Sequence, residues 1–337
     1  MNTVLIKQGV YRNTEIENQV FELVRPVTRG KKGTYITVRN DGSFDGPDNI
    51  RVSIDNHNSV EFAGGAVKNG VVEFKKTKTE SDEEVMERIG KRFDILHDMT
   101  RAAINGDVRA MIVTGPPGVG KSFGVEYELE KSSIFDRIGG NNTKYEVIKG
   151  AMTPVGLYAT LYKHSDKNHV LVFDDCDSIL LDDLSLNILK AALDSGKKRR
   201  IYWNADSSKL RGEGIPNSFD FHGSVIFITN LKFEHIKSKK LKDHLDALQS
   251  RCHYLDLTMD TMRDCFLRIK QIFRKGELFR DYKFTPEVGE EILDFMDKNQ
   301  NRLREMSLRM ALKIADLTRV SSDNWRELAE STCMRRV

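Results

Sequence analysis

One glycine-rich stretch of the chain predicts a loop that binds phosphate. Gly115, Gly120, Lys121 and Ser122 occupy the fixed positions of the pattern Gly-x-x-x-x-Gly-Lys-Ser, directly after an apolar run at residues 111–113. Glycines let the backbone curl so that its N–H groups point at phosphate oxygens, the lysine reaches the β- and γ-phosphates, and the serine hydroxyl ligates Mg²⁺. A chance match in a glycine-rich turn is the alternative, but the preceding run has the character of a buried strand. The sequence therefore predicts a site for a nucleoside triphosphate with Mg²⁺.

The residues predicted to bind this nucleotide form one continuous segment. They are Gly115, Pro116, Pro117, Gly118, Val119, Gly120, Lys121, Ser122 and Phe123, and Ser122 is also a predicted metal ligand. A helix is predicted over residues 123–132, and the positive end of its dipole would face the same phosphates.

Two adjacent carboxylates follow a second apolar run and predict the hydrolytic half of the site. Residues 170–173 are all apolar, as in a buried strand of a parallel sheet, and Asp174 and Asp175 come directly after them. Ligands of such sheets bind at the carboxyl ends of the strands. Asp174 is placed to hold Mg²⁺ through water, and Asp175 to act as the general base for the attacking water. A strand that ends in an acidic turn is the alternative, which the phosphate loop upstream disfavours.

The pattern of residues 79–256 predicts alternating strands and helices that place these groups at one edge of a sheet. Ser81 and Glu84 form a capping box, which predicts a helix that runs to about residue 105. Alternation of strands and helices is typical of a parallel sheet with helices on its faces. Further strands are predicted at 145–148 and 225–230, and further helices from Pro154 onward and over 184–195.

A predicted hairpin at residues 199–221 interleaves basic and aromatic residues. Cationic side chains contact backbone phosphates and aromatic rings stack on bases, so the segment could bind nucleic acid. The alternative is a solvated charge run that follows a helix end and interacts with its last carbonyl groups. The candidate nucleic-acid-binding residues are Lys197, Lys198, Arg199, Arg200, Lys209 and Arg211.

The first 78 residues show the period-two alternation of a small β-rich domain. Strands are predicted at 20–27, 34–39, 50–54, 60–62 and 71–75, with hairpin turns at 40–42 and 68–70 and a polar linker at 77–82. A basic cluster with one aromatic neighbour could contact nucleic acid, but solvated surface is the commoner explanation, and an adaptor or assembly role is equally open. That cluster consists of Arg25, Arg29, Lys31, Lys32 and Tyr35.

The composition argues against a membrane protein, a secreted protein or a protein whose fold is stabilised by a structural metal. The 337 residues carry a formal net charge of only +3 although 31% of them are charged, so any basic surface must be local. No apolar run approaches the roughly 20 residues of a membrane span, and residues 1–10 lack the features of a signal peptide. The four cysteines and eight histidines show no metal-ligand spacing. A cytoplasmic protein of two or three domains without structural zinc is expected.

The order of these motifs resembles that of the AAA+ ATPase module over residues 81–337. The segment 115–122 is similar to its Walker A loop, and the segment 173–177 to its Walker B strand. Asn230, at the end of Ile-Phe-Ile-Thr-Asn, resembles sensor 1, which orients the attacking water in that family. Arg251, in Leu-Gln-Ser-Arg-Cys, resembles the arginine finger of clamp-loader subunits, and Arg309 resembles the sensor 2 arginine of the helical lid.

The resemblance implies a catalytic site shared between subunits, because the finger acts on the neighbour's nucleotide. An arginine supplied in trans stabilises charge on the transferred phosphate. Plainer alternatives remain, since Arg251 could be a surface residue before a strand and Asn230 a strand-end cap. Arg309 could be one of several arginines in a basic helix, with Arg304 as the second candidate for sensor 2. The family usually has glutamate where this chain has Asp175, so slower turnover is expected.

The hairpin before the sensor 1 strand resembles the pre-sensor 1 hairpin group, which includes ring helicases, protein unfoldases and MoxR-type remodellers. The module as a whole also resembles AAA+ ATPases of tailed bacteriophages. The favoured hypothesis is an ATP-hydrolysing ring that acts on nucleic acid as a helicase, a translocase or a replication or recombination accessory. One alternative is a protein remodeller that grips with the loop at residues 149–153, where Met152 is the bulky apolar candidate. The other is a nucleotide-controlled loader or switch.

The predicted fold is therefore α/β, with an AAA+ P-loop module, a C-terminal helical lid and a small N-terminal β-rich domain. The predicted boundaries are 1–78 for the β-rich domain, 79–256 for the P-loop domain and 257–337 for the lid. The expected ligands are ATP and Mg²⁺. The expected partners are further copies of the chain in a ring-shaped homo-oligomer and nucleic acid, with no membrane. The expected location is the cytoplasm, which is that of the host if a phage encodes the chain.

Overall fold

The chain divides into two compact units, Met1–Thr79 and Glu80–Val337, which are described separately. The computed structural model describes residues 3–12, 14–30, 33–40, 42–44, 46–54, 59–62, 80–140, 142–231, 233, 236–259, 261–282 and 284–335. The division into three domains expected from the sequence stays a prediction.

The first unit is a small antiparallel β structure that closes on itself. Among its described residues the strands are β1 (Thr3–Tyr11), β2 (Thr14–Gly30), β3 (Gly33–Arg39), β4 (Asn49–Ile54) and β5 (Val60–Phe62). They pair in the order β2-β3-β4-β1-β5, and a further pairing of β2 with β1 completes the closure. Alternate side chains such as Val4, Ile6, Ile36, Val38 and Val52 are buried in its core.

This unit agrees with the predicted β-rich domain, with two differences. The strand β1 was not predicted, and the predicted strand at 20–27 is the middle of a longer strand, β2. The predicted turn at 40–42 lies in the β3–β4 connection, where the Asn40 N–H donates to the Asp48 carbonyl at 2.7 Å. The predicted strand at 71–75, the turn at 68–70 and residues 77–79 of the linker lie outside the described residues.

The second unit contains a parallel sheet whose strands end together at the edge that carries the predicted site. Its strands within the described residues are β6 (Ala110–Thr114), β7 (Tyr145–Lys149), β8 (Val170–Asp174), β11 (Ser224–Thr229) and β12 (His253–Asp256), in the order β12-β6-β11-β8-β7. The register pairs Thr229 with Thr114 and Ile228 with Asp174. The phosphate loop and the two aspartates therefore leave neighbouring parts of one edge. The central strands β6, β8 and β11 are buried throughout, as their apolar sequences predict.

Helices cover this sheet, and four of the eight described between residues 82 and 249 correspond to predicted helices. They are α1 (Asp82–Ile104), α2 (Lys121–Ser132), α3 (Ile134–Ile138), α4 (Pro154–Lys163), α5 (Asp177–Leu180), α6 (Asp183–Ala192), α7 (Ser208–Gly212) and α8 (Lys239–Gln249). The predicted capping box is confirmed: Ser81 Oγ accepts from the Glu84 N–H, and Glu84 Oε2 accepts from the Ser81 N–H. Helix α6 ends three residues before the prediction, because Asp194 folds back to accept from the Gly196 N–H at 3.0 Å.

The predicted hairpin consists of two short strands with a helix in the connection between them. The strands β9 (Arg200–Tyr202) and β10 (Ser218–Asp220) pair antiparallel, and α7 lies between them in sequence. Ile201, Trp203 and Phe219 belong to the same hydrophobic core as the buried face of α4. The hairpin is therefore packed onto the sheet-covering helices through its apolar side.

The chain after β12 is helical. It forms α9 (Met262–Arg274), α10 (Pro286–Lys298), α11 (Leu308–Val320) and α12 (Trp325–Cys333), which share a core around Met296, Ala311 and Trp325. The parallel sheet between helices, this helical region and the antiparallel N-terminal unit confirm the predicted fold class.

None of the described helices is long and apolar enough to cross a membrane.

Candidate active site

The phosphate loop has the backbone conformation that its glycines predict. Gly115, Gly118 and Gly120 have φ angles of 147°, 73° and 99°, in the region that side chains disfavour. A β-carbon at Gly118 would lie 2.8 Å from Ser307 Cβ, so glycine is also required there by close packing. The loop thus curls between the end of β6 and the start of α2, at whose N-terminus Gly120 lies.

Lys121 is buried and ties the loop to the neighbouring strand. Its ammonium donates to the carbonyls of Gly115 at 2.7 Å and Pro116 at 2.9 Å, and to Asn230 Oδ1 at 2.7 Å. Burial lowers the pKa of Lys121 to about 8, although the Asp175 carboxylate acts in the opposite direction. The three acceptors of this ammonium are neutral oxygens, so a polyanion that enters the loop would give it a negatively charged partner.

The other loop side chains have different surroundings. The Val119 side chain is buried in the core, so only the backbone of this loop residue is available to a phosphate. Phe123 is 56% exposed and stacks on Tyr127 with ring centroids 6.4 Å apart. Ser122 Oγ donates to Asp174 Oδ1 at 2.9 Å, which joins the two predicted metal ligands. The predicted nucleotide segment therefore contacts the predicted hydrolytic segment directly.

Asp175 has a left-handed backbone that turns it away from the buried strand. Its φ is 53°, and its N–H donates to the Ile228 carbonyl at 2.9 Å. Asn230 Nδ2 donates to Asp175 Oδ1 at 2.9 Å, so one amide bridges Lys121 and Asp175. Desolvation, and then the neighbouring Asp174 carboxylate, raise the pKa of Asp175. A raised pKa suits a group that must accept a proton during the reaction.

A cavity of about 560 Å³ runs from these groups to the C-terminal helices. Its polar end is formed by Lys121, Asp174, Asp175 and Asn230, and its far side by residues of α9 and α11. The Leu308 N–H donates to the Gly118 carbonyl at 2.8 Å, so α11 begins in contact with the phosphate loop. Arg309, the next residue, lines the cavity. The structure thus brings the predicted sensor 2 residue to the loop.

The oxygen atoms of this site fit a hard divalent cation. Mg²⁺ is usually held by one or two protein oxygens together with substrate phosphates rather than by a cage of carboxylates. Ser122 Oγ and the Asp174 carboxylate offer such a pair, at the end of the loop that would hold the phosphates. In the part of the chain that the structure describes, no group of three or more His, Cys, Asp or Glu side chains could hold a metal without further ligands.

Arg251 does not line this cavity. It lies between the end of α8 and the start of the edge strand β12, and its Nη1 donates to the Ala247 carbonyl at 2.5 Å. Its Nε is buried without a hydrogen-bond partner, and the nearest carboxylate, that of Asp194, is 4.0 Å away. Arg304 is also absent from the cavity lining, since its Nε donates to the Met334 carbonyl. Among the two sensor 2 candidates, the geometry favours Arg309.

The basic hairpin needs one correction. Arg199 is only 8% exposed, and its Nη1 donates to the carbonyls of Ala192 and Gly223, so burial removes it from the surface available to a polyanion. The reason is strand alternation: Arg199, Ile201 and Trp203 share the inward face, whereas Arg200 and Tyr202 point outward.

The remaining basic side chains of this region are exposed, although two of them have acidic partners. Arg200 makes two hydrogen bonds to the Asp220 carboxylate, and Arg211 pairs with Asp206. Lys197, Lys198 and Lys209 are exposed. Tyr202 is the outward-facing aromatic residue of β9, at 57% exposure, whereas Trp203 and Phe219 pack in the core. Nucleic-acid binding by these residues stays a prediction.

In the first unit, the predicted basic cluster is described only in part. Arg25 is exposed, and Tyr35 is half-buried beneath the Arg51 guanidinium, 5.1 Å from the ring centroid. Lys31, Lys32 and the side chain of Arg29 lie outside the described residues.

Sequence reasoning missed several residues of the cavity. Arg280, Tyr282 and Arg319 line it from the helical region, with the Arg319 guanidinium 4.1 Å from the centre of the Tyr282 ring. No local motif marks them, because Arg280 and Tyr282 lie in the connection between α9 and α10 and Arg319 lies on α11, and tertiary packing brings both segments to the cavity. Lys149 was also missed: its ammonium lies 3.4 Å from Asp174 Oδ2. The available signal was that Lys149 directly follows the predicted strand at 145–148, since the carboxyl ends of parallel strands lie at one edge of a sheet.

Comparison with known proteins gives one full-length relative. The chain is 33% identical over 332 residues, which is 98% of this chain and 97% of the relative, to an uncharacterized 36.7 kDa protein in the nrdC–mobD intergenic region of Enterobacteria phage T4. No protein-family model matches the chain.

Two solved structures show a looser likeness. NtrX from Brucella abortus in complex with ADP superposes with a TM-score of 0.41 and 11% identity, over 76% of this chain and 56% of NtrX. The ORC2 protein of Aeropyrum pernix, in ADPNP–ADP complexes, superposes with a TM-score of 0.41 and 13% identity, over 74% of this chain and 68% of that protein.

Proposed function

This chain belongs to the same family as the 36.7 kDa protein of phage T4, whose name states no activity. From the geometry of the site, we propose that the chain is an AAA+ ATPase. The observation that carries the proposal is the chain of contacts from Lys121 through Asn230 to Asp175, beside the contact of Ser122 with Asp174. These contacts join a phosphate-binding loop to two carboxylates at the carboxyl edge of a parallel sheet. That arrangement suits hydrolysis of a nucleoside triphosphate.

In this mechanism the loop amides and Lys121 hold the β- and γ-phosphates. All three N–H groups of the Lys121 ammonium donate to oxygens of the chain in this structure, so one of these bonds opens when the ammonium donates to phosphate. Ser122 and Asp174 would hold Mg²⁺, which supplies positive charge to the phosphates. Asp175 accepts a proton from the attacking water, and Asn230 orients that water and the Asp175 carboxylate together. Arg309 contributes positive charge from the lid side of the cleft.

Replacement of Lys121 by alanine tests the nucleotide site. We expect K121A to lower the affinity for ATP by about 100-fold or more, because a buried charge-assisted contact to phosphate is lost. Equilibrium binding of a fluorescent ATP analogue measures this. K131A, at an exposed lysine on the same helix, is the control and should bind as the wild type does. Equal affinity of K121A and K131A would refute the assignment, provided that both unfold at the wild-type temperature.

We further propose that the active form is a ring-shaped homo-oligomer that acts on nucleic acid in the cytoplasm, which is that of the host for a phage-encoded protein. The support for the nucleic-acid substrate is the exposed pair Lys197 and Lys198, which shortly precede the outward-facing Tyr202 in the chain. Exposed cations and an exposed aromatic ring on one segment suit a single strand, since the cations hold phosphates while the ring stacks on a base. Arg199 has no part in this contact because it is buried.

The double substitution K197E/K198E tests this substrate. We expect the concentration of single-stranded DNA that half-maximally stimulates ATP hydrolysis to rise by about tenfold or more, and the stimulation to weaken steeply with salt in the wild type. The control K131E/K167E reverses the same number of charges at exposed lysines elsewhere. Equal stimulation of both double variants would count against the hairpin as the contact.

The same assay separates the alternatives. Stimulation by unfolded protein but not by DNA would indicate a protein remodeller, and the absence of stimulation by either would indicate a loader or switch. The loop proposed for gripping protein is less suited to that role, because Met152 packs against the core and its backbone N–H donates to Ser178. RNA belongs in the same comparison.

A further inference from the structure

The end of β7 brings a lysine to the predicted metal ligand. The Lys149 ammonium lies 3.4 Å from Asp174 Oδ2 and 2.7 Å from Glu126 Oε1 on α2. The other oxygen of Asp174 accepts from Ser122 Oγ. Both oxygens of this buried carboxylate are therefore engaged by donors of the chain itself.

The surroundings of Asp174 explain why a cation is needed there. Asp175 and Asp177 follow it closely in sequence, so the carboxyl end of β8 concentrates negative charge. A buried carboxylate without a nearby cation is costly, because burial removes the water that would stabilise it. Lys121 is close, but its three hydrogen bonds go to carbonyl and amide oxygens rather than to Asp174. Lys149 is the residue whose ammonium forms a direct ion pair with Asp174.

We propose that Lys149 is the internal counter-ion of the metal site: it pairs with Asp174 while no divalent cation is bound, and it competes with Mg²⁺ for that carboxylate. The inference rests on the proposed function of the site. Two cations at one carboxylate repel each other, so Mg²⁺ and the ammonium favour different states of Asp174. The Lys149 side chain is 59% exposed, and Glu126 offers it a second anchor. It can therefore leave Asp174 without losing its ion pair to Glu126.

The substitution K149M tests this competition. At a fixed concentration of a non-hydrolysable fluorescent ATP analogue, we expect the Mg²⁺ concentration for half-maximal binding to fall by about three- to tenfold, because one competing cation is removed. K163M is a closely matched control. Lys163 pairs with Glu213 at 3.1 Å, with 60% and 34% of the two side chains exposed, against 59% and 35% for Lys149 and Glu126. It should leave the Mg²⁺ requirement unchanged.

A second variant predicts a change in the opposite direction. E126Q removes the alternative anchor, so Lys149 pairs more fully with Asp174, and the Mg²⁺ requirement should rise. The double variant K149M/E126Q should behave as K149M does, because the lysine on which Glu126 acts is then absent. Thermal unfolding of each variant checks that the fold is retained.

The outcomes separate this inference from the proposed function. Normal nucleotide binding by the wild type, together with an unchanged or raised Mg²⁺ requirement in K149M, would overturn the counter-ion role alone. The same holds if E126Q lowers the Mg²⁺ requirement. Failure of the wild type to bind the analogue at saturating Mg²⁺ would overturn the nucleotide site and the counter-ion role together.

Discussion

Replacement of Asp175 by asparagine should leave ATP bound and slow its hydrolysis by about 10²- to 10⁴-fold, the range expected when a general base is removed. The asparagine amide has nearly the shape of the carboxylate but cannot take the proton of the attacking water. Asparagine also tolerates the left-handed backbone, with a φ of 53°, better than most residues do. The loss of rate should therefore report chemistry rather than a misplaced chain.

The measurement has two parts, since binding and turnover must be separated. Equilibrium binding of ATP should stay within a few-fold of the wild-type value, whereas the steady-state release of phosphate should fall to near background. D177N is the matched control, because this substitution removes the same charge two residues away. The Asp177 carboxylate accepts a hydrogen bond from Thr229 rather than from Asn230. If D175N and D177N slowed hydrolysis equally, the role of Asp175 as base would be wrong.

Asp175 also explains why turnover should be modest even in the wild type. Aspartate is one methylene shorter than the glutamate usual in the resembled family, so its carboxylate reaches less far toward the water. The left-handed backbone and the hydrogen bond from Asn230 fix where it points. D175E would lengthen the reach but place a glutamate in a backbone conformation that it disfavours. The two effects oppose each other, which makes D175N the cleaner test.

The groups that the sequence predicted best are those whose chemistry lies within a few consecutive residues. The phosphate loop needs glycines, a lysine and a serine at fixed spacing, and in the structure these residues form one curled segment at the start of α2. The aspartates follow a buried strand, and the parallel register of β8 and β11 carries Asp174 and Asn230 to the same edge. For such residues, local sequence and sheet topology together determine position.

Side chains whose position depends on packing were harder to predict. Arg199 belongs to a run of four basic residues, and only its alternation with Ile201 and Trp203 indicates that it faces inward. Arg309 reaches the loop because the preceding residue, Leu308, donates its N–H to the Gly118 carbonyl. This hydrogen bond joins segments that are far apart in the chain. The strand β1 was overlooked although Val4 and Ile6 alternate as a half-buried strand requires. Burial of a charged residue and the docking of a helix are tertiary effects that composition does not reveal.

Substitution of Arg251 by alanine should lower the rate of ATP hydrolysis by about 10³- to 10⁵-fold, the range known for arginine fingers in related chemistry, while ATP binding is retained. The structure is consistent with action on another subunit, because Arg251 does not line the cavity of its own chain. Its buried Nε has no hydrogen-bond partner, and Asp194 lies 4.0 Å away. The side chain as a whole is 30% exposed, so part of it, though not the buried Nε, is open to a neighbouring subunit.

Mixing of subunits distinguishes a finger that acts in trans from a residue that only supports its own fold. R251A keeps its base and D175N keeps its finger, so each protein alone should be inactive. At equal mixing, about a quarter of the sites would combine an intact base with a neighbour's intact finger, if subunits exchange at random and sites act independently. Hydrolysis should therefore recover toward that fraction. A mixture that stays inactive, although labelled subunits are seen to exchange, would show that Arg251 does not complete a neighbouring site.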